Sequence, residues 1–219
     1  MRLIIFDFDG VIADSEAPAN EILAESLTAI GAPTTTEDAI RLYMGRRWLD
    51  CAPIMEECLG SVLPEGFLET HIATVHARLK AEVTPVPGVL DFLHRHADIP
   101  RCIGSSSKLD YIGQSLDRMA MSHWFEHRFS GHDVPRGKPH PDLFLKAAAT
   151  LNTSTADCLV IEDSPPGVMA GKAAGMKTIG PCAGSHILDG HWRRLEDAGA
   201  DHVVASYAEI DPLIMALTT

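Results

Sequence analysis

The sequence predicts an α/β protein, a parallel sheet wrapped by helices, with an all-helical segment inserted after the first strand. Short apolar runs rich in β-formers recur at residues 2–6, 101–104, 158–161, 177–180 and 202–205, and each suits a strand buried on both faces. Helical patterns lie between them, and that alternation folds into a parallel sheet. Residues 16–82 break the rhythm, with helical spacing and no convincing strand.

Taken in order, Arg2-Leu3-Ile4-Ile5-Phe6 is the first strand, and it runs straight into acids. It is too short for a signal peptide's apolar region and far short of a membrane span, so no membrane partner and a cytoplasmic location are expected. In the insertion, Ile22, Leu23, Leu27 and Ile30 fall at helical spacing, with Gly31 as a stop before Pro33. Residues 67–73 read as another helix there. Pro87-Gly88-Val89 opens a helix with Pro near its first turn, and residues 142–149 form one more. Every strand except the last precedes a segment able to form a helix. The expected division is a core of residues 1–15 and 83–219, with a helical cap at 16–82.

Composition narrows the function. A chain of 219 residues with 46% hydrophobic and 22% charged residues can bury a core without a disulfide or metal staple. A formal charge of −12 with no Lys/Arg run argues against binding a nucleic-acid backbone. A small anion stays possible where local positive groups offset the global field. Cys51, Cys58, Cys102, Cys158 and Cys182 show no CxxC spacing and no histidine at zinc-ligand spacing, so they read as reduced structural thiols. A monomer is expected, with a dimer left open.

Active sites of open α/β sheets gather at the carboxyl ends of strands, so polar residues there carry the most weight. Asp7-Phe8-Asp9-Gly10 places two acids at the exit of a buried strand, a costly arrangement unless a cation joins them; the bland alternative is a solvated turn. Gly104-Ser105-Ser106-Ser107-Lys108 offers hydroxyls and N–H groups to an anion, or merely caps a helix. In Arg136-Gly137-Lys138-Pro139-His140-Pro141-Asp142 two prolines stiffen the chain around a lysine, suited to a phosphate or to steadying a carboxylate, or simply exposed. Ile161-Glu162-Asp163-Ser164-Pro165-Pro166-Gly167 repeats the acidic pair ahead of a proline-primed helix; it suits Mg²⁺, or Asp163 or Ser164 caps that helix. In the insertion, Arg46 and Arg47 follow Gly45 and could grip a carboxylate or second phosphate, or form a solvated helix end. Glu16, His71 and His76 are weaker candidates, since single polar residues on helices usually face solvent.

Together, DxDGV, a strand followed by Ser, GKPxPD and EDSxxG resemble the haloacid dehalogenase superfamily of hydrolases over nearly the whole chain, in the branch of β-phosphoglucomutases and sugar-phosphate phosphatases. The resemblance implies a Rossmann-like parallel core with a helical cap. It implies Asp7 as a nucleophile that becomes phosphorylated, Asp9 as acid and base, and Mg²⁺ held by Asp7, Asp9 and Asp163 with Glu162 nearby. Ser105, Ser106 and Gly10 would bind phosphoryl oxygens, Lys138 would neutralise charge, and the cap, with Arg46 and Arg47, would select a small phosphorylated metabolite. Phosphatases for sugars or sugar acids, 6-phosphogluconate among them, are similar. The mutases it resembles carry a histidine in the linker to the cap where this chain has Ala19. Dehalogenases lack the second Asp, present here as Asp9, and phosphonatases use an early cap lysine, whereas the first lysine here is Lys80. A phosphomutase and a non-catalytic phospho-ligand binder are the alternatives to a phosphatase.

Overall fold

A computed structural model describes residues 1–218. Six strands form one sheet: β1 (Leu3–Phe6), β2 (Arg101–Ser105), β3 (His127–Ser130), β4 (Cys158–Ile161), β5 (Lys177–Pro181) and β6 (His202–Val204). Their order is β3-β2-β1-β4-β5-β6 and every pairing is parallel. The central β1 has β2 on one side and β4 on the other, with Phe6 in register with both Ile103 and Ile161. That is the switch point of an open α/β sheet, where neighbouring strand ends leave a crevice.

The alternating side chains of β1 explain why it lies at the centre. Ile4 and Phe6 enter one apolar cluster, with Phe92, Ile112, Leu116 and Phe125, while Leu3 and Ile5 enter another, with Phe144, Ala147, Cys158 and Val160. All four are at most 2% exposed, so a polar residue on either face would be stranded in a core. Phe6 meets the edges of Phe92 and Phe125 at ring-centre distances of 6.1 and 5.7 Å, a favoured aromatic geometry.

Between β1 and β2 lie α1 (Glu16–Ala29), α2 (Thr36–Tyr43), α3 (Trp48–Leu59), α4 (Phe67–Glu82) and α5 (Val89–Arg95). The first ends one residue before its expected last apolar position, with Gly31 beyond it at φ +98°. Helix α2 begins with a reciprocal cap, Thr35 accepting from the Asp38 N–H and Asp38 from the Thr35 N–H. Leu23, Leu27, Ala39, Tyr43, Cys51 and Met55 give these helices a core of their own. Ile22, Val75 and Leu79 instead join the cluster under the sheet, which anchors α1 and α4 to the core.

The remaining helices are α6 (Leu109–Arg118), α7 (Asp142–Thr150), α8 (Pro165–Ala173), α9 (His191–Asp197) and α10 (Ile210–Thr218). Three details depart from expectation. Strand β3 was not foreseen, because His127-Arg128-Phe129-Ser130 is an edge strand whose first two residues meet solvent and give no apolar run. Pro87 stands outside α5, whose cap is Gly88 at φ +84°. The last strand is followed by a helix after all, since a short turn at Tyr207–Glu209 leads into α10. All five cysteines are free, and no helix among the described residues is long and apolar enough to cross a membrane.

Candidate active site

The strand pairing of β1 carries one residue past its end, because the Asp7 N–H still donates to the Ile161 carbonyl at 2.9 Å. Phe8 is fully buried, so the strand's alternation turns Asp7 and Asp9 toward the crevice together. The chain then folds back on itself, with the N–H groups of Ile12 and Ala13 on the Phe8 carbonyl and that of Gly10 on the Ala13 carbonyl. Gly10, at φ +75°, is required twice over, by its backbone and by its neighbour: a Cβ there would lie 1.8 Å from Asp163 Oδ2.

Lys138 reaches in from the loop before α7, its side chain wholly buried. Its Nζ lies 2.8 Å from Asp7 Oδ1 and 2.6 Å from Glu162 Oε2. Burial works to lower the ammonium's pKa, but Asp7 and Glu162 outweigh it and hold it above the usual lysine range. Burial, then the Glu162 charge, push the Asp7 carboxyl up to about 7 against the pull of Lys138. Glu162 is engaged at both oxygens, since Oε1 accepts from the Ser164 N–H at 2.9 Å and its hydroxyl at 2.7 Å. Ser164 is therefore the residue that caps α8, accepting from the Gly167 N–H at 3.2 Å, which leaves Asp163 for the crevice.

Histidines approach Asp163 at both its side chain and its backbone. His186 Nε2 lies 2.9 Å from its Oδ2, and His191 Nε2 lies 2.7 Å from its backbone oxygen. Burial, then Asp7, push its carboxyl well above the usual range. Oxygens of Asp7, Glu162 and Asp163 lie within 4.8 Å of one another. Three buried carboxylates this close repel one another, and one lysine does not balance them; hard oxygen donors converging so suit a divalent cation.

Asp9 sits in a cradle of hydroxyls. Ser15 and Tyr111 donate to Oδ1 at 2.7 and 3.1 Å, and Ser107 donates to Oδ2 at 2.6 Å. Burial raises its pKa and outweighs the opposing hydrogen bonds from Ser107 and Ser15. The three serines after β2 divide their tasks. Ser105 faces the crevice and accepts the Ser107 N–H at 3.0 Å, Ser106 donates to the Gly45 carbonyl of the helical insertion at 3.1 Å, and Ser107 serves Asp9.

The insertion closes the crevice from above, leaving a cavity of about 60 Å³ lined by Asp7, Asp9 and Ser105 below and by Tyr43, Arg46, Trp48 and His76 above. Gly45, at φ +79°, makes the close approach possible, as a Cβ there would lie 2.2 Å from Ser164 Oγ. The paired arginines separate. Arg47 turns away to Asp50, at 2.6 and 2.9 Å, and to the Gly131 carbonyl at 3.0 Å, whereas exposed Arg46 lines the cavity. Glu16 and His76 also line it, contrary to the expectation that they face solvent. His71 is instead buried in the insertion between Trp48 and Phe67. Sequence reasoning did not single out Ser15, Tyr111, His186 or His191. Of these, His186 follows the carboxyl end of β5, so the strand-end rule applied to that loop would have found it.

Residues 4–180 match the family model described as haloacid dehalogenase-like hydrolase. The chain is 27% identical to the 6-phosphogluconate phosphatase of Escherichia coli over 85% of each protein. It is 30% identical to the β-phosphoglucomutase of Bacillus subtilis, over 96% of this chain and 92% of that one. A crystal structure of a haloacid dehalogenase-like protein from Agrobacterium tumefaciens superposes with a TM-score of 0.88 at 33% identity, over the full length of both. Strand-end acids, a buried lysine and an inserted helical lid thus accompany a match over most of the sequence: the chain belongs to the haloacid dehalogenase-like hydrolases, as an enzyme of the phosphoric monoester hydrolase kind.

Proposed function

We propose that this chain is a Mg²⁺-dependent phosphatase for a small phosphorylated metabolite, a sugar phosphate or sugar-acid phosphate, working through an aspartyl-phosphate on Asp7. The observation that carries this reading is Lys138 Nζ at 2.8 Å from Asp7 Oδ1, beside the acidic cluster with Asp163. The reading divides the chain into a core of residues 1–15 and 83–219 and a cap of 16–82. The phosphatase relatives support the reaction class.

In this reading the lysine fixes Asp7 Oδ1, and the other oxygen attacks phosphorus. The bond to the leaving oxygen breaks, and Asp9 gives that oxygen its proton. Water then attacks the acyl phosphate while Asp9 takes the proton back, and phosphate leaves with Asp7 restored. Asp9's raised pKa suits a group that must hold and release a proton. Ser105, with the N–H group of Ser106, would bind phosphoryl oxygens, whereas the Gly10 N–H, the other donor the sequence offered, is already given to the Ala13 carbonyl at 2.7 Å. Asp7, the Asp9 carbonyl and Asp163 would hold Mg²⁺, which supplies positive charge between an anionic nucleophile and an anionic substrate. Glu162, occupied at both oxygens, acts here mainly by holding Lys138. Arg46 is the cap residue placed to meet an anionic leaving group, and Arg47 fastens the cap loop to the core.

A phosphomutase is the second reading, favoured by the similarity to β-phosphoglucomutase. Against it, the position where the mutases carry histidine is Ala19, a methyl group in the cavity wall. Phosphate release from a panel of sugar phosphates, with and without Mg²⁺, separates the possibilities. A phosphatase releases phosphate with Mg²⁺, a mutase isomerises its substrate, and a pure binder gains thermal stability without turnover. Asp7→Asn should cut release at least about a thousandfold with the fold intact, in line with losses seen for groups that act as a unit. A purified variant that still hydrolyses at the parent rate would sink the aspartyl-phosphate reading.

A further inference from the structure

Asp9 is fixed by three hydroxyls, and one of them is carried by a ring that the cap itself touches. Tyr111 lies on α6 of the sheet domain and is 6% exposed. Its ring meets the edge of Phe8 at 6.0 Å and 87°, and its hydroxyl donates to Asp9 Oδ1 at 3.1 Å. On its other side the imidazole of His76, from α4 of the cap, stacks on it at 4.6 Å between ring centres and 10° between planes. A chain of direct contacts therefore runs from a cap helix through one aromatic ring to the Asp9 carboxylate.

We propose that Tyr111 is a positioning residue for Asp9 and that His76 makes this positioning depend on the cap. The inference rests on the reading of Asp9 as the acid and base. A carboxylate's terminal torsion is broad and soft, so its aim comes from the donors around it. Ser107 fixes Oδ2, and Ser15 shares Oδ1 with Tyr111. With the cap seated, Phe8 and His76 hold the phenol ring and so direct its hydroxyl. With the cap lifted, one wall of that slot is gone, and the hydroxyl loses its fixed direction. Asp9 is then aimed best when the cavity is closed and bulk water is out.

Two substitutions separate the parts of this link: Tyr111→Phe keeps the ring and removes the hydroxyl, while His76→Ala keeps the hydroxyl and removes the stack. With p-nitrophenyl phosphate and saturating Mg²⁺, each should lower kcat about tenfold, part of the roughly hundredfold or more that a positioned acid–base group contributes. KM should stay within about twofold, because neither change removes a phosphate contact. His76→Phe restores a stacking ring and should recover most of the rate. The double variant Tyr111→Phe/His76→Ala should be no slower than Tyr111→Phe alone, since without the hydroxyl the stack has nothing to aim. A stack that serves only stability would lower the melting temperature of His76→Ala and leave kcat unchanged. Independent roles would multiply to about a hundredfold in the double variant. Either result overturns the proposal, as does Tyr111→Phe at the parent kcat. Parent and Asp7→Asn enzymes run alongside distinguish the two levels. If the parent releases no phosphate from any ester, the phosphatase reading falls and this inference with it. If the parent is active and Asp7→Asn is dead while Tyr111→Phe is unaffected, this inference falls alone.

Discussion

At the end of the sheet, Lys138 is wholly buried and already matched by carboxylates at 2.8 and 2.6 Å, while in the loop between α2 and α3 Arg46 lines the cavity from an exposed position with no carboxylate among the described residues in salt-bridge reach. The two cations stand under opposite conditions, one beneath Asp7 at the cavity floor and one in the cavity wall. A buried charge must have its partners built in, because leaving it unpaired costs several kcal/mol. Its task is thereby fixed before any ligand arrives. An exposed guanidinium pays little to remain unpaired and keeps its five donors for whatever enters. On the proposed reading, the core would carry one kind of chemistry, and the cap loop would vary what that chemistry acts on.

The largest effect should come from breaking the core pairing. Lys138→Met keeps the stem beside the Phe144 ring, 5.3 Å from Nζ, but leaves Asp7 and Glu162 without their counterion. Stability should fall by about 3–5 kcal/mol, the usual consequence of stranding one member of a buried pair. Phosphate release should fall roughly a hundredfold to a thousandfold, the range for losing one preorganised electrostatic group. Thermal unfolding and steady-state kinetics on the same preparation check both. A variant as stable and as active as the parent would mean that the buried pair is not what distinguishes core from cap.

The cap holds its own buried polar group, and there the difference is sharper still. His71 is 2% exposed, and neither ring nitrogen has a hydrogen-bond partner among the described residues, with Trp48 edge-on at 4.6 Å and Phe67 stacked at 6.3 Å. Burial alone pushes its pKa down to about 4 from 6.5. The sign follows from linkage: the folded value is depressed, so below pH 6.5 the unfolded chain takes up the proton first. Stability is full above that pH and is lost as the pH falls toward 4. At pH 5 the loss amounts to about 2 kcal/mol. Between pH 7 and 5 the parent should lose that much more stability than His71→Phe, measured by denaturant unfolding at each pH. Equal slopes for the two proteins would show that the cap tolerates a charged His71.

The contrast also explains what could be read from the sequence. Core motifs were legible because strand ends are marked by abrupt change, from Ile5-Phe6 to Asp7 and from Val160-Ile161 to Glu162-Asp163. Parallel pairing then brings those ends side by side whatever the loops do. Strand β3 escaped because an edge strand can be half polar. Tyr111 and His191 escaped for a different reason: each reaches the crevice residues through a contact between distant segments, and neither spacing nor periodicity records which ring lands on which. In the cap, Arg46 and Arg47 are chemically alike and adjacent. Only the presence of Asp50 three residues on hinted that Arg47 would be tied down.

That pair supplies the smallest and most discriminating test. If Arg46 reads the substrate and Arg47 only fastens the loop, the same substitution at neighbouring positions should give two different signatures. Arg46→Ala should raise KM about tenfold for a sugar-acid phosphate, a loss of about 1.4 kcal/mol. For p-nitrophenyl phosphate, which offers no second anionic group, the change should stay below about twofold. Arg47→Ala gives up a paired contact with Asp50 and the one to the Gly131 carbonyl. It should cost about 1 kcal/mol of stability and affect both substrates alike, through a looser cap rather than a lost ligand contact. Should both variants discriminate between the substrates to the same degree, the loop would have to act as a single unit, and the division between a free arginine and a fixed one would not describe how the cap selects.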